Sequence, residues 1–347
     1  MLKVKVIVPA TIINLGPGLD TLGIAVTLHN TVEMSLRPPS PPAESAPVQG
    51  EKSAEAATKV PEAGLSTAAP ASLLAPEAPA PFTLNVSGEN HFPVSDDHPV
   101  IRAAKTLFDE AKTPFPSASI TCTGEIPTEL GDRTAWTVGG LMAANNLLST
   151  PLKREQIVAL ACRLSEPPAA VVASLMGSLS VTSGWWQDLI YRRIDIPILR
   201  VILVAPKIPG YREQVDVLPR TIDLRDTAFN MGRIALLVEA LRTGDNAFLT
   251  RLMEIRGLDS ARKALIPDYD SVLAAARNAG AITAALSGNG PYVIAFAPPL
   301  VVGGRVKAPN TQAIETAMVD AFRAAGVESR AWTLNVDTQG IVLTVQQ

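Results

Sequence analysis

Residues 38–81 consist largely of Pro, Ala, Glu and Ser, with few large apolar side chains. Such a stretch cannot bury enough surface to offset the entropy of ordering it, so it is expected to be disordered and to add nothing to a core. It lies between two strand-like runs, 24–36 (with a break near Asn30) and 82–86. The fold must therefore be built from the rest of the chain, with this segment looped out between two strands of one domain. An inert insertion is the expected reading, and a partner-binding tail is the alternative.

Outside the insertion two periodicities mix. Residues 3–8 alternate polar and apolar side chains and are β-branched, the pattern of a half-buried strand. Further strands are expected at 117–122, 179–182, 190–194, 199–204, 281–286, 293–297, 330–334 and 341–345. Helical spacing appears at 100–111, 133–148, 154–164, 224–242, 248–255, 269–279 and 311–325, with Gly244 stopping the helix that starts at 224. Strands and helices do not alternate strictly, which points to an α+β protein with mixed or antiparallel sheets.

Composition excludes several functions. The net charge is -3 and both signs are interspersed, so no basic field invites nucleic acid. Cys122 and Cys162 sit in apolar or mixed runs and read as core thiols in a reducing compartment. His29, His91 and His98 are scattered and form no ligand pattern, so no metal site is read from the residues. No apolar run reaches membrane length, and the one at the start, ending at Pro9, is too short for a signal-peptide core. A soluble, cytoplasmic protein without membrane partners is expected.

Residues 9–20, PATIINLGPGLD, carry the first chemical signal. A strand runs into a Gly16-Pro17-Gly18 turn, where the glycines allow sharp bending and close approach to a ligand. Asn14 and Asp20 place an amide and a carboxylate at its two ends, a pair suited to the amino or hydroxyl group of a small polar substrate. A tight turn with an acidic cap would look the same. Further along stand NTVEM at 30–34, FNMGR at 229–233, Arg262 ahead of LIP at 265–267, and LSGNGP at 286–291.

In this order, and over almost the whole chain apart from the insertion, these segments resemble the GHMP small-molecule kinases, in particular the homoserine kinases. The resemblance implies a GHMP kinase fold: an N-terminal ribosomal protein S5 domain 2-like domain over 1–184, and a C-terminal ferredoxin-like α/β sandwich over 185–347. The active site would lie between them. It implies ATP and Mg2+ as cofactors, and transfer of the ATP γ-phosphate to the hydroxyl of L-homoserine in threonine biosynthesis. Asn14, Asp20 and Arg262 would bind the small-molecule substrate, and Gly131, Arg133, Ser287, Gly288 and Gly290 the nucleotide phosphates. The apolar C-terminal strands leave a homodimer open.

Several positions depart from the family pattern. Its phosphate loop, PxGxGLGSSAA, sets small residues at a helix N-terminus so that amides, serine hydroxyls and the helix dipole hold a phosphate. With the register fixed by LMAAN at 141–145, the first glycine of the GLGSS core becomes Glu129, the two serines become Asp132 and Arg133, and a small helix residue becomes Trp136. Only Leu130 and Gly131 of that core remain. Asp132 is expected to act as N-cap and satisfy the amides that a phosphate would use. Arg133 reads either as a phosphate contact or as an exposed surface arginine. The family's metal-binding glutamate falls on Arg163 and its substrate-side histidine on Pro167, with Glu166 nearby. An arginine before an ILP run falls on Val215, and the adenine-side asparagine falls on His98. The pair Trp185-Trp186 reads as core or interface packing, with nucleotide stacking as the alternative. The expectation is a homoserine kinase-like chain whose catalysis is weak or lost and which has no metal site of its own. The alternative is a non-catalytic relative that binds a small metabolite or a partner.

Overall fold

The computed structural model describes residues 2–36, 82–128, 130–148, 152–164, 166–197, 199–211, 221–257, 260–288, 290–297, 300–302, 305–307 and 310–346. The insertion at 38–81, Glu129, Val215 and Asn289 lie outside the described residues.

Strands β1 (Lys3–Ile13) and β2 (Leu22–Leu36) form a long antiparallel hairpin closed by the Gly-Pro-Gly turn. Val4, Val6 and Val8 point inward, while Lys3 and Lys5 reach Glu33 on the outer face. A register shift between Pro9 and Ala10 then changes the pattern, and every residue from Val8 to Ile12 is buried. The break expected near Asn30 is absent. Asn30 is fully buried within β2, and its side-chain oxygen accepts from the amides of Glu125 at 2.9 Å and Ile126 at 3.1 Å. A loop arriving from elsewhere satisfies the side-chain oxygen of this polar residue, while its buried Nδ2 makes no hydrogen bond among the described residues.

The first sheet has seven strands in the order β13–β1–β2–β4–β3, with β5 paired to β2 and β6 paired to β5. Here β3 is Phe82–Gly88, β4 Ala118–Gly124, β5 Leu179–Ser183, β6 Ile190–Ile194 and β13 Val342–Gln346. Among the described residues of this sheet only β3 and β4 pair in parallel, and α1 (Pro99–Glu110) provides their crossover. Helices α2 (Asp132–Leu147), α3 (Arg154–Arg163) and α4 (Pro168–Met176) follow; α2 and α4 pack on β1 and β2.

The second sheet is antiparallel, in the order β12–β7–β9–β8, with β7 at Arg200–Pro206, β8 at Thr283–Leu286, β9 at Val293–Ala297 and β12 at Ser329–Asn335. Strands β10 (Leu300–Val302) and β11 (Arg305–Lys307) form a separate small hairpin. Helices α5 (Leu224–Thr243), α6 (Asn246–Leu249), α7 (Ser260–Ala264), α8 (Tyr269–Asn278) and α9 (Thr311–Ala324) complete the chain. One face of the second sheet meets α8 and α9 in a core that includes Ile202, Val204, Val272, Met318 and Phe322. Its other face, through Val201, Leu203, Ile294 and Phe296, belongs to the same cluster as Val6, Ile24 and Trp136 of the first sheet.

The helix expected at 248–255 shrinks to α6. Asn230 of α5 brackets the backbone of Arg256, donating to its carbonyl at 2.8 Å and accepting from its amide at 3.0 Å. That clamp draws 250–256 out of helical geometry, a tertiary contact overriding local propensity. Cys122 and Cys162 are free and buried, and burial pushes both thiols up to about 12, so they are unreactive core side chains. Trp185 and Trp186 are 64% and 43% exposed, so they do not pack in the core as one reading had it. Among the described residues, no helix is long and apolar enough to cross a membrane.

Candidate functional site

The turn after β1 and the loop after β8 meet at the end of the first sheet. Asn14 adopts φ 56 and its side-chain oxygen accepts from the amide of Asp20 at 2.8 Å, which closes the turn. The Asp20 side chain itself is exposed. The amide of Gly288 donates to the carbonyl of Ile13 at 2.8 Å, tying the two loops together. Arg262, only 4% exposed, donates from Nη1 to the Gly288 carbonyl at 3.2 Å. Asn14, Gly16 and Arg262 line a cleft of about 470 Å³, with β8 and one face of α8 as its other walls. Of the three residues expected on the substrate side, the structure brings Asn14 and Arg262 into this cleft. Asp20 stands at its edge through its backbone.

Ser287, Gly288 and Gly290 are tied down by backbone hydrogen bonds. Ser287 is buried and donates its amide to Tyr292 O at 2.9 Å, and Gly290 donates to Ser287 O at 2.9 Å. Gly290 has φ 78, and a Cβ there would stand 1.9 Å from the Tyr211 hydroxyl, so only glycine fits. The amides of Ser287, Gly288 and Gly290 are thus engaged with the protein's own carbonyls.

The start of α2 differs from the expected arrangement in two respects. The N-cap is Gly131, at φ 77, where a Cβ would stand 2.3 Å from Thr11 Oγ1. Asp132 is therefore the first helical residue and not the cap. Its carboxylate turns to His91 Nδ1 at 3.0 Å, where it still favours the positive end of the helix. Arg163 does not enter the site, because it pairs with Glu110 of α1 at 3.1 Å on an exposed face. The residue that reaches α2 is Glu166. Its side chain is 1% exposed and accepts from Thr134 Oγ1 at 2.6 Å and Thr137 Oγ1 at 3.1 Å, with Arg133 Nε at 3.4 Å. Burial pushes the Glu166 carboxyl above its ordinary range, and the contacts from Thr134, Arg133 and Thr137 act against that rise.

An aromatic row continues from this point. His91 lies 3.9 Å from Phe92, Phe92 lies 5.9 Å from His98, and His98 lies 5.7 Å from the fully buried Trp136 (ring centroids). Arg133, half exposed, sits 5.9 Å over the Phe92 ring. His98 caps α1, accepting from the amide of Val100 at 3.3 Å.

At Glu166 the residues do not offer a magnesium ion an open ligand. A divalent cation needs open carboxylate oxygens, and both oxygens of Glu166 are engaged by hydroxyls and a guanidinium. Asp132 adds a carboxylate to the first turn of α2.

Sequence reasoning did not anticipate Thr134 and Thr137, which lie three apart on one face of α2, nor Arg251 and Arg277 in the cleft wall. The threonine spacing was a usable signal. The two arginines sit in runs indistinguishable from solvated surface.

A profile described as the GHMP kinases N terminal domain matches residues 98–178, and one described as GHMP kinases C terminal matches 237–313. The homoserine kinase of Moorella thermoacetica is 30% identical over 342 residues, covering 97% of this chain and 98% of that one. The homoserine kinase of Parasynechococcus marenigrum is 32% identical over 347 residues, covering 97% and 95%. Among solved structures, homoserine kinase from Cytophaga hutchinsonii aligns with a TM-score of 0.73 at 22% identity, over 99% of this chain and 97% of that chain. With both domains matched and full-length relatives at this identity, the chain belongs to the GHMP kinase family and is homoserine kinase-like within it.

Proposed function

We propose that this protein is a homoserine kinase-like member of the family whose acceptor cleft still binds a small hydroxy or amino acid, while phosphoryl transfer from ATP is weak or lost. The observation that carries this reading is the state of Glu166, whose two carboxylate oxygens are taken by Thr134, Thr137 and Arg133. Kinases lower the barrier chiefly by positioning and by neutralising charge on the transferring group, which the metal ions do. An internal guanidinium does not replace a cation that must contact both protein and phosphate.

The acceptor side supports binding. Asn14 and Arg262 share one cleft, held by backbone ties between β1 and the loop at 287–291. A second reading, an active homoserine kinase, is favoured by the names of the full-length relatives. It would carry ATP, Mg2+ and a place in threonine biosynthesis with it.

Calorimetric titration with Mg–ATP, followed by coupled detection of ADP in the presence of L-homoserine, separates the two. The expected outcome is no saturable Mg–ATP binding and no ADP release above the uncatalysed rate. Saturable binding with turnover would establish the second reading and sink the first.

A further inference from the structure

The cleft carries more positive charge than one small amino acid requires. Arg233, Arg251, Arg262, Lys263 and Arg277 all line it. The only carboxylate in the described lining, Glu254, is shared between Arg233 at 3.6 Å and Arg256 at 3.2 Å. Arg251 and Arg277 make no ion pair among the described residues.

The placement of these cations adds to their number. Tyr269, Leu273 and Arg277 occupy one face of α8 at successive i, i+4 positions and all face the cleft. Lys263 lies 5.7 Å over the Tyr269 ring, near the Arg262 end. Arg277 stands two turns further on, roughly 12 Å along the helix axis. Strand β8 runs back beside it, from Thr283 to Leu286 and the Arg262-bonded Gly288. Arg262 and Lys263 therefore stand toward one end of the α8 wall and Arg277 toward the other.

We propose that this cleft binds a small metabolite carrying two anionic groups, one held by Arg262 and Lys263 beside Asn14, the other by Arg251 and Arg277. The inference rests on the proposed function in taking this cleft as the ligand site, and it names the ligand class. Homoserine brings one carboxylate together with an ammonium that a cationic cleft disfavours. A second acid group reverses that balance, and the guanidinium fork suits carboxylate and phosphate alike. The volume of about 470 Å³ lies in the usual range of ligand sites and leaves a four-carbon amino acid with unfilled space. Several like charges lining one cleft raise the local concentration of anions in it.

The test is calorimetry of the full chain at low salt with three titrants: L-homoserine, O-phospho-L-homoserine and L-2-aminoadipate. The last two place the second anion on a phosphate or on a carboxylate, and the tighter of them identifies which. The expected result is that at least one binds roughly tenfold tighter than L-homoserine, the size of effect two partly exposed ion pairs can supply. Added salt should shrink that difference. The double variant R251Q/R277Q, changed at two exposed side chains, should bring the affinities together. Equal affinities for all three in the unaltered protein, an advantage that survives R251Q/R277Q, or no binding by any titrant would each overturn the inference. Turnover with Mg–ATP would instead sink the proposed function and leave the charge preference standing.

Discussion

His98 shows how one residue carries a consequence for the whole protein. It is fully buried, caps α1 through Nδ1, and its Nε2 has no hydrogen-bond partner. Burial, helped by the charge of nearby His91, lowers its pKa from 6.5 to about 4. In the unfolded chain the ring takes up a proton near pH 6.5, and in the folded chain only near 4. Between these values the unfolded state binds more protons, so this contribution is complete above pH 6.5 and is lost as pH falls toward 4. The shift corresponds to about 3 kcal/mol in all, of which about 2 kcal/mol is gone by pH 5. Urea midpoints at pH 7.5 and 5 should show that loss, and His98→Asn, which keeps a capping acceptor, should flatten the difference. An unchanged slope in His98→Asn would refute this role. The residue was visible in the sequence as standing at the family's adenine-side asparagine. Its partner Trp136 is distant in sequence, so the aromatic row was not legible there.

The same limit applies at the scale of the element. Alternation marked β1 and apolar spacing marked α5, because one buried face imposes its period on the residues. Asn30 and the segment 250–256 were misread, because a loop amide and the Asn230 clamp reach them from far along the chain. At α2 the order of residues singled out the helix start, while the identity of the carboxylate facing it was settled by packing. That difference is testable. Glu166→Ala strands Thr134, Thr137 and Arg133 around a buried vacancy and should cost about 1–3 kcal/mol. Arg163→Ala removes only an exposed pair with Glu110 and should cost less than about 1 kcal/mol. Chemical denaturation of both variants reads the contrast. Equal costs would mean that Glu166 is not the residue anchoring the start of α2.

At the scale of the molecule, the two sheets share a core. Val201, Leu203, Ile294 and Phe296 of the second sheet pack in the same cluster as Val6, Ile24 and Trp136 of the first. Strand β13, near the end of the chain, returns to pair with β1. Asp337, just before it, bonds His29 Nε2 at 2.8 Å and exchanges backbone bonds with Ala25 and Ser178. Opening one sheet would expose the apolar face of the other, so neither half has a complete core alone. The expected outcome in scanning calorimetry is one transition whose calorimetric and van't Hoff enthalpies agree, even though a chain of this length often departs from that behaviour. Two resolved transitions would show that the halves are energetically separate. The same experiment reports on the ligand sites, because a ligand that binds only the folded state raises the transition by mass action, about 2.7 kcal/mol at a hundredfold excess over its Kd. An anionic ligand seated between α8 and the turn at Gly16 touches both halves. It should move the single transition upward without splitting it, whereas Mg–ATP, with the Glu166 oxygens already engaged, should leave it in place.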